Sequence, residues 1–118
     1  MKTNIIVNLT FEALHCWKEC DLREEFYLKY PHRHVFYITC KKEVSHANRD
    51  IEFIGFKKRI KDYLVDLFED DNGNYDLGER SCEGLATQLL NDFALYYCSV
   101  LEDNENGAEV IRWFTTYP

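Results

Sequence analysis

Pro31-His32-Arg33-His34-Val35-Phe36-Tyr37-Ile38-Thr39-Cys40 is a His-x-His pair running straight into alternating apolar sequence. Side chains of a β-strand alternate between faces, so His32 and His34 point the same way. Same-face residues two apart sit roughly 6–7 Å apart at the backbone, which lets two imidazoles converge on one metal at about 2.0–2.1 Å per bond. Val35 to Thr39 is β-branched and aromatic, which suits pleated packing and predicts a strand from about His34 to Lys41. Upstream, residues 4–13 alternate as well. Ile5, Val7, Leu9 and Phe11 share one face, and Ile6, Asn8, Thr10 and Glu12 the other, the pattern of a half-buried strand. That strand delivers His15 just past its end. Two histidines on one strand and a third on its neighbour suggest an open tripod for zinc. His-x-His is also a common accident, and ordinary surface or turn histidines are the alternative.

Outward from these strands the pattern changes. Residues 16–31 have no period and read as a long excursion, of the kind that is usually functional or mobile in a small domain. Lys41 to Arg49 reads as a polar turn, with His46 a solvent histidine. From Ile51 the period is helical: Phe53, Phe56, Ile60, Leu64 and Leu67 form one apolar stripe. Glu69 to Asn74 stops that helix. Its acids lack the ligand spacing of a calcium loop, so a solvated turn is expected. Ser81 can cap a second helix with Glu83 in its first turn and Cys82, Leu85, Ala86, Leu89 and Phe93 buried. Tyr96 to Glu102 and Ala108 to Thr115 alternate again. Asn106-Gly107 between them is a strong hairpin signal. The order ββααββ predicts an α+β domain over residues 1–118, a four-stranded antiparallel sheet with two helices on one face. The other face needs cover. Ile6, Phe36, Ile38 and Tyr97 are placed on it, which points to a homo-oligomer.

Composition narrows the function classes. The chain has 118 residues, 46% hydrophobic and 15% aromatic, enough for one folded core. A net charge of −7 without a basic cluster argues against nucleic acid and against an anionic membrane surface. Cys16, Cys20, Cys40, Cys82 and Cys98 are scattered and odd in number, and free thiols in a reducing cytoplasm are the simplest account. Asn4, Asn8, Thr10 and Glu12 interrupt the N-terminal segment too often for a signal peptide, and no stretch suits a membrane span. A cytoplasmic protein is expected.

One carboxylate stands out by position. Glu102 ends the third strand, where it can accept two parallel hydrogen bonds from a guanidine-like edge such as that of guanine or a pterin. A rim carboxylate near a turn is the alternative, with Asp103 and Glu105 beside it.

Five elements in order now resemble the 6-pyruvoyl-tetrahydropterin synthase family, including its 6-carboxy-tetrahydropterin synthase branch. Phe11-Glu12-Ala13-Leu14-His15 is similar to its F-x-A-x-H element, and Pro31-His32-Arg33-His34 to its H-G-H with arginine for glycine. Ile51 to Lys57 resembles its D-F-x-x-L-K helix start, and Ser81-Cys82-Glu83-Gly84-Leu85-Ala86 its P-T-x-E-x-L-A helix. Val100-Leu101-Glu102-Asp103 resembles its v-x-E-T strand end. The resemblance implies a T-fold whose strands join between subunits into a barrel, in trimers or hexamers. It implies catalytic zinc on His15, His32 and His34, with Glu102, Ser81, Cys82 and Glu83 contacting a pterin- or guanine-like small molecule. The implied activity is that of a carbon–oxygen lyase acting on dihydroneopterin triphosphate or a similar substrate.

Two departures qualify this. Phe26 to Tyr30 fills the region where the family carries its catalytic cysteine, leaving Cys20 or Cys16 to replace it from further upstream. Val65-Asp66-Leu67 puts leucine in place of the family's L-D-H histidine. Proton transfer by a positioned group is worth typically 10²–10⁴-fold, so loss of both relay members impairs that chemistry. A T-fold that binds a pterin, guanine-like molecule or nucleotide without turnover is the alternative. A polyphosphate would need Arg33, Lys29 or Arg80 in the pocket. A third option is structural zinc, with Cys16 or Cys20 as fourth ligand.

Overall fold

A computed structural model describes residues 1–113 of the chain. Its strands are β1 (Thr3–His15), β2 (His32–Val44), β3 (Tyr97–Glu102) and β4 (Asn106–Ile111). They form one antiparallel sheet in the order β1-β2-β3-β4. Between β2 and β3 come helices α1 (Phe53–Phe68) and α2 (Cys82–Asp92). The expected α+β order is the one observed. Phe114 and Thr115, read from the sequence as the end of the last strand, lie outside the described residues.

Both helices cover the same face of the sheet. Phe56, Ile60, Leu64 and Phe68 of α1 and Cys82, Leu85, Ala86, Leu89 and Leu90 of α2 bury against Val7, Leu9, Phe11, Ile38, Cys40, Cys98 and Val100. The α1 stripe steps strictly by fours, so Phe68 closes it, with its ring 6.4 Å from that of Phe11. Leu67, one position off the stripe, is exposed, as is Phe53. Glu52 caps α1, its carboxylate accepting from the backbone N–H of Ile54 and Gly55. Ser81 caps α2 by accepting from Gly84 N–H at 3.0 Å. The acidic turn after α1 uses its carboxylate internally: Asp70 Oδ1 accepts from the N–H groups of Asn72 and Asn74.

Register corrects one expectation. Leu9 faces Ile38 and Phe11 faces Phe36 across the β1–β2 ladder, so Phe36 and Ile38 belong to the core face and are 1% exposed. Ile6 and Tyr97 do lie on the outer face, both opposite Lys41. The β3–β4 turn also differs from expectation. It is made by Asp103 and Asn104, both at positive φ, while Asn106 and Gly107 already belong to β4. Gly107 is required by close approach: a Cβ there would meet the Val100 carbonyl oxygen at 1.9 Å. Among the described residues no helix is long and apolar enough to cross a membrane.

These assignments predict that Ile38→Ala costs about 2–5 kcal/mol in urea unfolding, as expected for a large-to-small change in a packed core. Gly107→Ala also lowers the unfolding midpoint. An Ile38→Ala change within about 0.5 kcal/mol of the unaltered protein would return this side chain to the outer face.

Candidate metal centre

His15 and His32 close the β1–β2 ladder opposite one another, and His34 faces Ala13 one same-face step inward. All three are strand residues, since β1 runs through His15 and β2 begins at His32. Their rings pack edge to face, with centroids 4.5 Å apart for His15–His32, 5.3 Å for His15–His34 and 5.1 Å for His32–His34. One nitrogen from each ring lies within 4.8 Å of the others.

Each ring is also held from behind. Nδ1 of His15 lies 3.3 Å from the Arg80 carbonyl oxygen, and Nδ1 of His32 lies 2.7 Å from that of Tyr30. Nδ1 of His34 lies 2.7 Å from Asp103 Oδ2. Those partners are acceptors, which assigns the proton of each neutral ring to Nδ1 and leaves a lone pair on Nε2. Nε2 of His15, His32 and His34 is buried without a hydrogen-bond partner in every case. Three converging imidazole lone pairs, each oriented by an outer acceptor, are the donor set that a divalent metal such as zinc takes. The residues fit the ion.

Other segments close the site. Leu14 N–H donates to the Tyr75 carbonyl and Leu77 N–H to that of Leu14, which lays residues 75–78 along the end of β1. This brings the start of α2 to His15. The resulting cavity, of about 620 Å³, is lined by His15, His32 and Glu102 on the sheet and by Glu79 to Glu83 before and within α2. Cys16, Trp17 and Leu28 line it from the excursion, and Asn106 to Ala108 from β4. Ser81, Cys82, Glu83, Glu102 and Cys16 therefore share one cavity with two of the histidines. Cys20 does not line it: its thiol is buried and donates to the Glu25 carbonyl within its own loop. Val65-Asp66-Leu67 lies on α1, with Asp66 and Leu67 exposed, and contributes nothing to the cavity. His46 is in the β2–α1 turn beside Asp50.

Glu102 reaches the tripod directly, with Oε2 3.0 Å from Nε2 of His15 and Oε1 3.7 Å from Nε2 of His34. Asp103 was not singled out by sequence. Its carboxylate accepts from both His34 Nδ1 and Val35 N–H, and these bonds hold it below the usual carboxylate range. Burial pushes the His15 imidazole below its ordinary value, against the opposing pull of the Arg80 carbonyl and Glu102. Cys82 is pushed up to about 12 by burial and by Glu102 and Glu83, so it stays a thiol. None of the three named cations is offered to the cavity. Arg80 bonds Gln88 and the Leu77 carbonyl and stacks on Phe68. Arg33 pairs with Glu12, and Lys29 lies over the Phe26 ring. All five cysteines are free.

Comparison with known proteins adds no family. A scan against protein-family models finds no match, and neither does a search of curated proteins.

Two outcomes follow. Asp103→Ala removes the acceptor behind His34 and lowers zinc affinity by about 10–100-fold in competition with a chromophoric chelator, the range for loss of an outer partner. Unchanged affinity would mean that His34 is oriented without it. In metal-free protein, His15 binds its proton more weakly folded than unfolded. Its contribution to stability is full above its ordinary value of 6.5 and is lost as pH falls below that toward the lowered folded value. Unfolding free energy therefore drops as pH falls below 6.5, and His15→Asn flattens that slope.

Proposed function

We propose that this chain is a zinc-dependent protein of the 6-pyruvoyl- and 6-carboxy-tetrahydropterin synthase type. In this reading the α+β fold is a T-fold, the metal sits on His15, His32 and His34, and the adjoining cavity takes a pterin- or guanine-like ring. One observation carries it: three buried imidazole Nε2 atoms without partners converge, each ring fixed through its Nδ1. The cavity volume of about 620 Å³ lies within the range of small-molecule sites. Glu102 stands at its edge with two oxygens for a guanidine-like ring edge. Zinc in this position supplies polarisation of a substrate oxygen. As an enzyme the protein is a carbon–oxygen lyase that eliminates triphosphate from dihydroneopterin triphosphate or a close analogue. Cys16, which lines the cavity, is the group that moves the proton. Ile6, Tyr37 and Ile111 are exposed on the outer face and form the inner wall of a barrel of three or six subunits.

Two features favour a second reading, in which the ring is bound without turnover. The cavity carries Glu79, Glu83 and Glu102 while its arginine is committed to Gln88 and Leu77. The positions of the family's cysteine and histidine hold no substitute that reaches the site.

Incubation of zinc-loaded protein with 7,8-dihydroneopterin triphosphate, with and without acetaldehyde trapping, separates the two by mass spectrometry. The lyase reading expects metal-dependent loss of triphosphate that vanishes in Glu102→Ala and slows by about 10²–10⁴-fold in Cys16→Ala. Unchanged substrate with zinc-replete protein rejects turnover and leaves the binding reading.

A further inference from the structure

The Glu102 carboxylate poses a problem that hydrogen bonding does not solve. With Nδ1 protonated on each ring, every Nε2 presents a lone pair. Glu102 places Oε2 3.0 Å from Nε2 of His15 and Oε1 3.7 Å from Nε2 of His34, yet neither nitrogen gains a hydrogen-bond partner. Negative oxygens thus face lone pairs in a corner partly withdrawn from water, where an unrelieved contact of this kind is costly. The side chain is 29% exposed, so water lies within its reach as an alternative. A cation among the four acceptors turns the repulsion into attraction. The backbone imposes the arrangement. Glu102 pairs with Phe36, which puts it on the same face as His34 two residues away. Asp103 then anchors the chain immediately beyond it, through His34 Nδ1 and Val35 N–H.

We infer that Glu102 is a fourth ligand of the metal in the ligand-free protein, and that an incoming ring must draw it away. The inference rests on the reading of the three histidines as a metal site and adds to it a control on that site. One carboxylate cannot receive a guanidine-like ring edge and hold the metal with the same oxygens. A ring that engages Glu102 opens a coordination position beside the cavity it occupies. Glu102 thereby keeps the metal capped against other oxygen-bearing small molecules until a ring with the right edge arrives. The coupling is reciprocal, so metal binding weakens ring binding by the factor with which the ring weakens the metal's hold.

Cobalt(II) titration of metal-free protein, followed by its visible absorption, tests this without relying on activity. The wild type is expected to bind cobalt. Glu102→Gln, which keeps the shape and loses the charge, is expected to bind it at least about tenfold more weakly and with a changed spectrum. Glu102→Asp, which keeps the charge but draws it back, provides a second variant should the first fail to fold, and is expected to change the spectrum too. Neopterin added to the cobalt-loaded wild type should move its spectrum toward that of Glu102→Gln. Equal affinity and superimposable spectra in the folded variants overturn the inference and leave the three-histidine site standing. A wild-type cobalt spectrum that neopterin leaves unmoved overturns the displacement. Failure of the wild type to take up cobalt overturns the metal site itself.

Discussion

Hydrogen-bond acceptors set behind three imidazole rings are the constraint on which this site depends. They come from three segments outside the central strands: the Tyr30 carbonyl at the end of the excursion, the Arg80 carbonyl ahead of α2, and the Asp103 carboxylate in the β3–β4 turn. Each fixes a tautomer as well as an orientation. Reversing any one would turn a lone pair into an N–H donor and spoil the set. The same bonds tie the three segments to β1 and β2, so the walls of the cavity and the aim of the histidines are held together. Burial of three unpartnered ring nitrogens is costly for a folded chain. That cost is tolerable where a ligand offsets it.

Position within the sheet explains why the site can be polar at all. Phe11, Phe36 and Val100 lie on the core face and seal it from the interior, and beyond them the ladder runs on to Ala13, His34, His15 and His32. Glu102 is opposite Phe36, at the last step of β3. The same face thus passes from apolar to the three-histidine cluster as it emerges from under the helices. Strands aim the three histidines, and the excursion, the segment before α2 and the start of α2 complete the cavity lining beside β4.

The tripod was legible because it depends only on a period of two, and both helices because their stripes and caps are local. What was not legible needed register. Alternation shows that Phe36 and Ile38 share a face, but it cannot say whether that face is shared with Leu9 or with Asn8. Only the pairing Leu9–Ile38 settles it. The Asn-Gly signal was misplaced for a related reason: Gly107 answers to the Val100 carbonyl across the hairpin, a neighbour that local sequence does not reveal. Asp103 was hidden by distance, since its partner His34 is 69 residues away. Cys20 and Cys16 looked equivalent in the sequence. The fold separates them, with one thiol bonded inside its loop and the other on the cavity wall.

The charge of the cavity constrains what can enter it. Glu79, Glu83 and Glu102 line it, and Arg80 contributes its carbonyl to His15 while its guanidinium turns to Gln88, Leu77 and the Phe68 ring. A divalent metal on the histidines offsets part of that negative charge, but it does so at one end. A polyphosphate would have to lie against the remaining carboxylates while the Arg80 guanidinium is engaged by Gln88 and the Leu77 carbonyl, an arrangement that Coulomb repulsion opposes most where water is least. A neutral ring with an N–H edge meets the opposite situation, because its donors find acceptors ready. The cavity is therefore better matched to a neutral ring with an N–H edge than to a phosphate tail, and any tail must point out of it. Within the cavity, burial and the neighbouring Glu102 and Glu83 keep Cys82 a thiol, and Cys16 is the other sulfur on the wall. On the proposed reading, Glu102 recognises the ring and the metal activates it, while proton transfer would hang on Cys16 alone.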